Sequence, residues 1–329
     1  MDSNIVKNIL KEFGIKKQKK EEDIKLLKKQ IYSKIPELEK LKDELDKVSI
    51  CVLKNNMTVD EITRDIQNQN LQIKLNDINN KINKVLKKNG YDETVFIPKY
   101  ECSLCSDTGY IKNKQCNCLK QAIINSAYEQ SNMLQLGEEN FDTFDIGYYS
   151  SNVDEKLGKS PLENIQGIKK VSEDFCKNIL KKEQKSLLFI GSTGLGKTFL
   201  SNCIAKEIIS KGYTAIYQTA PLLMDTVIGH KLSYNKEESK EKYNQIFDCD
   251  LLIIDDLGTE TMNNIKFTEL FNIINTRLLN NKKMVISTNL TIKKLYEIYD
   301  ERVVSRFIGN FIICKFIGDD IRLKKKKMS

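Results

Sequence analysis

The 329-residue chain lacks several features that define common classes of protein. No stretch approaches the roughly 20 consecutive apolar residues of a membrane span, which argues against a transmembrane helix. The charged segment 1–10 has no apolar core of the kind that secretory signals carry. The chain has no tryptophan and a single histidine, His230, which has no metal-like neighbour and which we expect at a solvated helix end. We therefore expect a soluble, cytoplasmic protein.

Arginine is scarce and cysteine is odd in number. The nine cysteines occur in a chain without an export signal, which favours reduced thiols and metal ligands over disulfides. Only five of the 53 basic residues are arginine, although the formal net charge is +8. An arginine in such a lysine-rich chain marks a place where a rigid bidentate donor is needed. The five are Arg64, Arg277, Arg302, Arg306 and Arg322.

A glycine-rich loop of the form G-x-x-x-x-G-K-T follows a short apolar strand and precedes a helical run. Such glycines let backbone N–H groups curl around a phosphate chain at the positive end of a helix. Lys197 would reach the β- and γ-phosphates, and the Thr198 hydroxyl would hold a magnesium ion. We predict that ATP binds to Gly191, Ser192, Thr193, Gly194, Leu195, Gly196, Lys197, Thr198 and Phe199.

Two carboxylates follow a second apolar strand, at the edge where open α/β sheets bind ligands. Asp255 is predicted to hold magnesium, directly or through water. Asp256 is predicted to orient or deprotonate the attacking water. Asn289 ends a further strand and is the candidate to hold that water in line with the γ-phosphate. These residues predict a site that hydrolyses ATP.

Four cysteines cluster in a short segment with the spacing C-x2-C, ten residues, C-x-C. Four thiolates are the ligands that zinc prefers in structural sites. The alternative is a group of reduced thiols without a metal. We predict a structural zinc site made of Cys102, Cys105, Cys116 and Cys118. The other cysteines lie singly in apolar settings and are predicted to be small core residues.

The first part of the chain is highly charged and has apolar residues three and four apart, as helices do. Pro36 interrupts this pattern and is predicted to begin a new helix, which favours a helical hairpin over one rod. Residues 58–61 have the form of a capping box. We predict an all-α domain at 1–95, a zinc segment at 96–120 and a helical linker at 121–140.

Strands alternate with helices in the rest of the chain, which predicts an α/β domain over 141–329. The stretch 219–250 is too long for a simple crossover and contains two helical patterns, so we predict an insertion there. The sheet is predicted to be parallel, five-stranded and covered on both faces, with strands at Leu187–Ile190, Thr214–Gln218, Leu251–Asp255, Met284–Ser287 and Phe311–Phe316.

Arg302 and Arg306 are four residues apart and share one helix face. An arginine on the flank of a domain reaches the γ-phosphate of a neighbouring subunit more easily than its own. This pair therefore predicts an arginine finger and a self-associating protein.

The phosphate loop, IIDDLG, ISTN and VVSRF, in this order and at these spacings, resemble AAA+ ATPases of the initiator and helicase-loader branch. The segment C-x2-C-x-DTG…C-x-C and the late GDDIR make residues 100–323 similar to the bacterial DnaC/DnaI-type loaders of the replicative helicase. One departure is Asp256, where many AAA+ proteins have glutamate.

The resemblance implies an N-terminal domain that binds the hexameric, DnaB-type replicative helicase, an ATPase domain that self-associates, and binding to single-stranded DNA. It also implies that Asn289 is the sensor-1 residue, that Arg306 is the arginine finger, and that the 219–250 insertion contacts DNA. Candidate contacts are Lys231, Tyr234 and Lys236, with an exposed polar connection as the alternative reading. The basic tail 322–327 adds sequence-independent attraction.

Two other functions stay open. A transposition-helper ATPase has nearly the same motifs, although the four-cysteine segment argues against it. A nucleotide-gated adaptor would bind ATP and a partner with negligible turnover. A small-molecule kinase is disfavoured, because the chain has no arginine-rich lid and devotes about a hundred residues to a charged helical arm.

Overall fold

The computed structural model describes residues 3–58, 61–127, 139–155, 158–232, 236–261 and 263–323. The chain divides into two compact units, one made of residues 11–108 and the other of residues 1–10 and 109–329. The domain boundaries given above stay predictions. Among the described residues, no helix combines the length and apolarity that crossing a membrane requires.

The first unit is helical. The long helices are α1 (Ser3–Lys34), α2 (Pro36–Thr58) and α3 (Glu61–Lys88). Pro36 is the first residue of α2, where its missing N–H costs no hydrogen bond, so the predicted restart at this proline is observed. Buried apolar residues of this unit, including Leu38, Ile82 and Leu86, form a small core of their own. Two residues of the predicted capping box, 59 and 60, lie outside the described residues.

From residue 109 onward, the second unit contains a short hairpin, β1 (Tyr110–Ile111) and β2 (Lys114–Gln115), followed by the helix α4 (Asn117–Ala127). The longer elements that follow are α5 (Pro161–Lys177), β3 (Ser186–Ile190), α6 (Lys197–Ser210), β4 (Ala215–Thr219), α7 (Ala220–Leu232), α8 (Lys236–Asp248), β5 (Leu251–Leu257), α9 (Asn264–Leu279), β6 (Lys283–Thr288), α10 (Ile292–Ile298), α11 (Glu301–Asn310) and β7 (Phe311–Lys315). Helices connect these strands, with two consecutive helices before β5 and again before β7.

Strands β3 to β7 form one parallel five-stranded sheet in the order β4-β5-β6-β3-β7. The predicted α/β class and the predicted parallel sheet are therefore confirmed. Strand β6 lies between β3, which leads into the glycine-rich loop, and β5, which carries the two carboxylates. This order brings the polar ends of three strands to the same edge of the sheet.

Both faces of the sheet are buried. Successive residues of β3 and β5 belong to opposite cores: Leu188 and Ile254 to one, Leu187 and Ile253 to the other. Residues of α5 and α6 complete the second core, whereas α7, α9, α10 and α11 contribute to the first. Successive side chains of a strand point to opposite faces, so a sheet covered on both faces needs apolar residues at consecutive positions. This explains the uninterrupted apolar runs in the sequence.

The predicted insertion between β4 and β5 consists of α7 and α8. It is tied to the sheet by Arg277 of α9, which is fully buried and donates to the carbonyl of Ile246 at 2.6 Å and to that of Lys283 at 2.8 Å. His230 in the last turn of α7 stacks on Tyr243 with ring centroids 4.7 Å apart. The predicted helix end is therefore observed, and the half-buried ring also packs against α8.

Candidate functional site

The glycine-rich loop connects β3 to α6, and its backbone conformation depends on glycine. Gly196 precedes the first residue of α6 with φ +88°, and a Cβ there would lie 2.5 Å from the Tyr149 hydroxyl. A Cβ on Gly191 would lie 2.8 Å from the backbone oxygen of Phe316. The loop is therefore held close to two neighbouring segments and leaves room only for glycine at these positions.

Lys197 is the first residue of α6 and is 5% exposed. Its ammonium donates to the carbonyls of Gly191 and Ser192, both at 2.7 Å. It also donates to Asn289 Oδ1 at 2.8 Å, so the structure brings together two residues that the sequence separates widely. Burial lowers the pKa of Lys197, and the nearby carboxylates oppose part of that shift. The ammonium is therefore held inside the loop by two backbone carbonyls and by Asn289.

Asp255 lies at the end of the buried part of β5 and is 2% exposed. Its Oδ2 accepts hydrogen bonds from the Thr198 hydroxyl at 3.0 Å and from the Tyr217 hydroxyl at 2.7 Å, and its Oδ1 accepts one from Ser287. Burial and the charge of Asp255 raise the pKa of Tyr217, which keeps the phenol proton available for donation. A hydroxyl and a carboxylate in contact are oxygen ligands of the kind that magnesium prefers.

Asp256 has an unusual backbone conformation, with φ +55°. The pairing of β5 with β6 shifts register between Ile254 and Leu257, as in a β-bulge, which re-aims the side chain at this point. Aspartate tolerates this left-handed conformation far better than most residues, which gives a physical reason for Asp in place of Glu. Burial, and next the charge of Asp255, raise the pKa of Asp256, while Lys197 partly opposes the shift.

A cavity of about 560 Å³ opens beside these groups. Such a volume is typical of small-molecule sites. The glycine-rich loop and the start of α6 supply Thr193, Gly194, Gly196, Lys197, Thr198 and Phe199 to its wall, and Asp256 and Asn289 also line it. The side chain of Leu195 packs instead in the core beneath the loop.

Two parts of the cavity lining were not predicted from the sequence. One is the segment 139–149, which contributes Phe144 and Tyr149, and Phe144 contacts Phe199 with ring centroids 5.4 Å apart. The predicted domain over 141–329 begins in this segment, and no sequence motif marks the segment as part of a site. The other wall is Arg322, in the GDDIR motif near the end of the chain.

Arg322 reaches the cavity because its neighbour is anchored to the glycine-rich loop. The backbone N–H of Ile321 donates to the carbonyl of Gly194 at 2.9 Å. Arg322 contributes to lowering the pKa of Lys197 and opposes the rise in the pKa of Asp256, so its charge acts on both. The chain thus carries a guanidinium at its own cavity.

The predicted finger, Arg306, lies elsewhere. It is on α11, and its Nε donates to Asn275 Oδ1 of α9 at 3.1 Å. Its guanidinium is 5.9 Å from the ring centre of Phe271. Arg302 of the same helix donates to Asp300, the N-cap residue of α11, at 2.8 Å. Neither arginine is among the cavity-lining residues in the part of the chain that the structure describes. A role of Arg306 at another subunit stays a prediction.

The four predicted zinc ligands lie together. The sulfur atoms of Cys102, Cys105, Cys116 and Cys118 are all within 4.8 Å of one another. Four thiolates at such distances fit tetrahedral zinc. Asp107, with φ +57°, accepts hydrogen bonds from the backbone N–H groups of Cys102 at 2.8 Å and Glu101 at 3.1 Å. These bonds shape the turn that carries the first two cysteines.

Of the other cysteines, Cys51 is exposed rather than part of a core, and the remaining ones are buried as predicted.

Replacing Cys105 with serine should abolish zinc binding, because three thiolates and a hydroxyl hold the ion far less tightly. Elemental analysis of purified protein should find about one zinc per chain in the parent and almost none in the variant. Cys51→Ser is the matched control and should keep its zinc. A parent protein purified without chelators that contains no zinc would contradict the site.

The candidate DNA contacts are only partly described. Lys231 forms an ion pair with Glu269, a carboxylate that is 4% exposed, while its own side chain is 47% exposed. Tyr234 and the tail residues 324–327 lie outside the described residues, and Lys236 is described only as the first residue of α8. The structure therefore leaves these contacts as predictions.

A glycine-rich phosphate loop, a lysine at the start of the next helix and two carboxylates on a nearby strand of a parallel sheet define a P-loop nucleotide-binding domain. Residues 168–329 match the family of IstB-like ATP binding proteins. The predicted resemblance to IstB/DnaC-like AAA+ domains is confirmed over this part of the chain.

Similarity to individual proteins is partial. Chromosomal replication initiator protein DnaA of Wolinella succinogenes is 31% identical over 140 residues, which are 41% of this chain and 30% of that protein. Replicative helicase loader DnaC of Buchnera aphidicola subsp. Baizongia pistaciae is 26% identical over 163 residues, which are 48% of this chain and 66% of that protein. A crystal structure of the DnaC helicase loader is 22% identical, with a TM-score of 0.46, over 56% of this chain and 99% of that chain. The chain thus spans only part of the length of both relatives.

Proposed function

We propose that this protein is an ATP-dependent loader of the replicative DNA helicase onto single-stranded DNA, acting as an oligomeric AAA+ ATPase. The observation that carries the proposal is the convergence of Lys197, Asp256 and Asn289 on one cavity beside the Thr198–Asp255 pair. The similarity to a protein named replicative helicase loader supports the choice among AAA+ functions.

In this proposal the phosphates of ATP replace the internal acceptors of Lys197. Its ammonium now contacts two loop carbonyls and Asn289, and phosphate oxygens would take their place with a stronger, charge-assisted bond. Magnesium, when bound, neutralises charge on the β- and γ-phosphates, and Thr198 and Asp255 are the residues that would hold it. Arg322 would add positive charge from the same chain.

Asp256 is the candidate base. Burial and Asp255 raise its pKa, so its carboxylate is a better proton acceptor than an exposed aspartate. Asn289, which acts to lower the pKa of Asp256, would hold the attacking water in line with the γ-phosphate. Phe144 and Phe199 form an aromatic wall on which the adenine ring would stack.

The helical region 1–95 is proposed to bind a hexameric, DnaB-type helicase, and the zinc segment is proposed to hold its shape without taking part in chemistry. The test of this proposal is a loading assay with the full chain, the replicative helicase of the same organism and circular single-stranded DNA. Addition of the protein and ATP should increase helicase bound to the circle. Failure to bind the helicase at all would overturn the loader function while leaving the ATP site untouched.

A transposition-helper ATPase is the second candidate, because the matching family is described as IstB-like. Its partner would be a transposase instead of a helicase. The cluster of four cysteines favours the loader, since such helpers are not expected to carry it. A nucleotide-gated adaptor is distinguished by a single-turnover hydrolysis assay with and without single-stranded DNA, in which it would bind ATP and leave it intact.

Single-stranded DNA should bind through the 219–250 insertion. Alanine at Lys231, Tyr234 and Lys236 together should weaken binding and lower the slope of log affinity against log salt by about 1.4, since two phosphate contacts are lost at roughly 0.7 each. The matched control replaces Lys169, Lys170 and Lys177 of α5, on the other face of the sheet. Unchanged affinity and slope in the first variant would exclude the insertion as the contact surface. Because Lys231 also pairs with buried Glu269, thermal unfolding of the variant must be measured in parallel.

A further inference from the structure

Strand β4 carries a fully buried tyrosine, Tyr217, at the level of Ile253 on the neighbouring strand. Asp255 lies two residues beyond Ile253, on the same face of the sheet. The tyrosine ring packs in the core with Leu251 and Ile253, and its length carries the hydroxyl to the edge of the sheet where Asp255 is found. The ring therefore belongs to the core and the hydroxyl to the site.

Both oxygens of the Asp255 carboxylate are occupied by hydroxyl donors. Tyr217 donates to Oδ2 at 2.7 Å and Thr198 donates to the same atom at 3.0 Å. Ser287 donates to Oδ1 and also accepts from the backbone N–H of Asp256 at 3.0 Å. All three of these hydroxyls point their protons at Asp255.

We propose that Tyr217 is a positioning residue for the magnesium ligands, acting through Asp255; this rests on the proposed ATP function. By donating to Oδ2, Tyr217 holds the carboxylate at the rotation in which that oxygen also accepts the proton of Thr198. The Thr198 hydroxyl then has its proton fixed on Asp255 and its lone pairs available for the cation. Rotation about the last torsion of aspartate is otherwise soft.

The two other donors do not replace this contact. Ser287 acts on the opposite oxygen and is shared with the second acid. Thr198 is itself the group to be positioned. Without the phenol hydroxyl, Oδ2 would accept a hydrogen bond from Thr198 alone. Water could not replace the lost donor, because Asp255 is 2% exposed. The expected consequence is weaker magnesium binding together with unchanged binding of nucleotide in the absence of magnesium.

The test replaces Tyr217 with phenylalanine in the full chain, which removes the hydroxyl and keeps the ring in the core. Affinity for a fluorescent ATP analogue is titrated in EDTA and at a series of free magnesium concentrations. We expect the magnesium concentration for half of the affinity gain to rise about tenfold, as for loss of one hydrogen bond to a charged group. Affinity in EDTA should stay within about twofold of the parent, since the phosphate loop is intact.

Tyr299→Phe is the matched control, because Tyr299 is also a buried tyrosine whose hydroxyl donates to a carboxylate, that of Glu260. It should lose a similar bond without a change in the magnesium response. Thermal unfolding and the hydrolysis rate at saturating magnesium are measured for both variants. At saturating magnesium the hydrolysis rate of Tyr217→Phe should return to that of the parent.

The proposal is overturned if Tyr217→Phe responds to magnesium as the parent does. It is also overturned if nucleotide affinity falls equally with and without magnesium, which is the result of a general structural role. If the parent itself shows no magnesium dependence, the proposed ATP–magnesium site fails first and the role of Tyr217 fails with it. The parent titration distinguishes this last failure from the other two, which the titration of Tyr217→Phe separates.

Discussion

Replacing Lys197 with alanine is expected to remove detectable binding of MgATP. The ammonium is the positive side chain that the start of α6 places inside the phosphate loop. Hydrogen bonds to charged groups contribute about 1.5–3 kcal/mol each, and a lysine that bridges two phosphates makes at least two. The expected loss of affinity is therefore on the order of 10²- to 10⁴-fold.

The folded protein itself should tolerate the change. The acceptors that Lys197 contacts are neutral oxygens, and burial lowers its pKa. Keeping its charge buried therefore costs free energy in the nucleotide-free protein. We expect the melting temperature without nucleotide to stay close to that of the parent. The rise in melting temperature that ATP causes in the parent should disappear, because that rise depends on the ratio of ligand concentration to Kd.

Lys211→Ala provides the matched control. Lys211 caps the opposite end of α6 and pairs with Glu207 at 3.0 Å on the surface, away from the cavity. The control should bind the fluorescent nucleotide like the parent. A Lys197→Ala variant that also bound it like the parent would contradict the assignment of the loop. Lys197→Arg keeps the charge but not the fit, so it should recover only part of the affinity.

The parts of the site that could be predicted from the sequence are those that local patterns define. The glycine-rich loop needs a fixed spacing of glycine, lysine and threonine, and apolar runs of four to six residues define buried parallel strands. Because parallel strands end at one edge, Asp255 and Asn289 could be assigned to the same region before their contacts were known. The observed bond between Lys197 and Asn289 follows from that rule and from the strand order.

The residues that sequence reasoning missed reach the site over long distances. Arg322 arrives because residue 321 bonds to the loop, and Phe144 arrives from the segment before α5. Nothing periodic in the sequence marks either contact. The same is true of Tyr217, whose apolar neighbours in β4 make it look like an ordinary core residue. The left-handed conformation of Asp256 also lay beyond prediction, since a bulge depends on the pairing of two strands.

Replacing Arg306 with alanine is expected to spare ATP binding and to lower the hydrolysis rate by roughly 10³- to 10⁵-fold, as for removal of an arginine finger. The structure gives this arginine a half-buried position on α11, and it does not line the cavity of its own chain as the described residues define it. A finger in such a position acts on a nucleotide held by an adjacent subunit. The competing reading is that Arg306 only joins α11 to α9 through Asn275.

Two measurements separate these readings. Asn275→Ala removes the bond between the helices and keeps the arginine, so it should retain most of the activity if Arg306 is a finger. Mixing the inactive variants Lys197→Ala and Arg306→Ala should restore part of the activity, because one supplies an intact finger and the other an intact phosphate loop. The outcome against a finger is a mixture that stays inactive while Asn275→Ala is as defective as Arg306→Ala.

Arg322 supplies the control that this experiment needs. Its guanidinium lines the cavity of its own chain, so Arg322→Ala should lose activity through a defect that no neighbour can repair. A mixture of Lys197→Ala with Arg322→Ala should then stay inactive, since every intact phosphate loop sits beside a missing arginine. If the mixture with Arg306→Ala recovers activity and the mixture with Arg322→Ala does not, Arg306 acts on the neighbouring subunit's nucleotide and Arg322 acts on its own. Recovery in both mixtures would mean that Arg322 also acts on a neighbour, and its position at the cavity of its own chain would need another explanation.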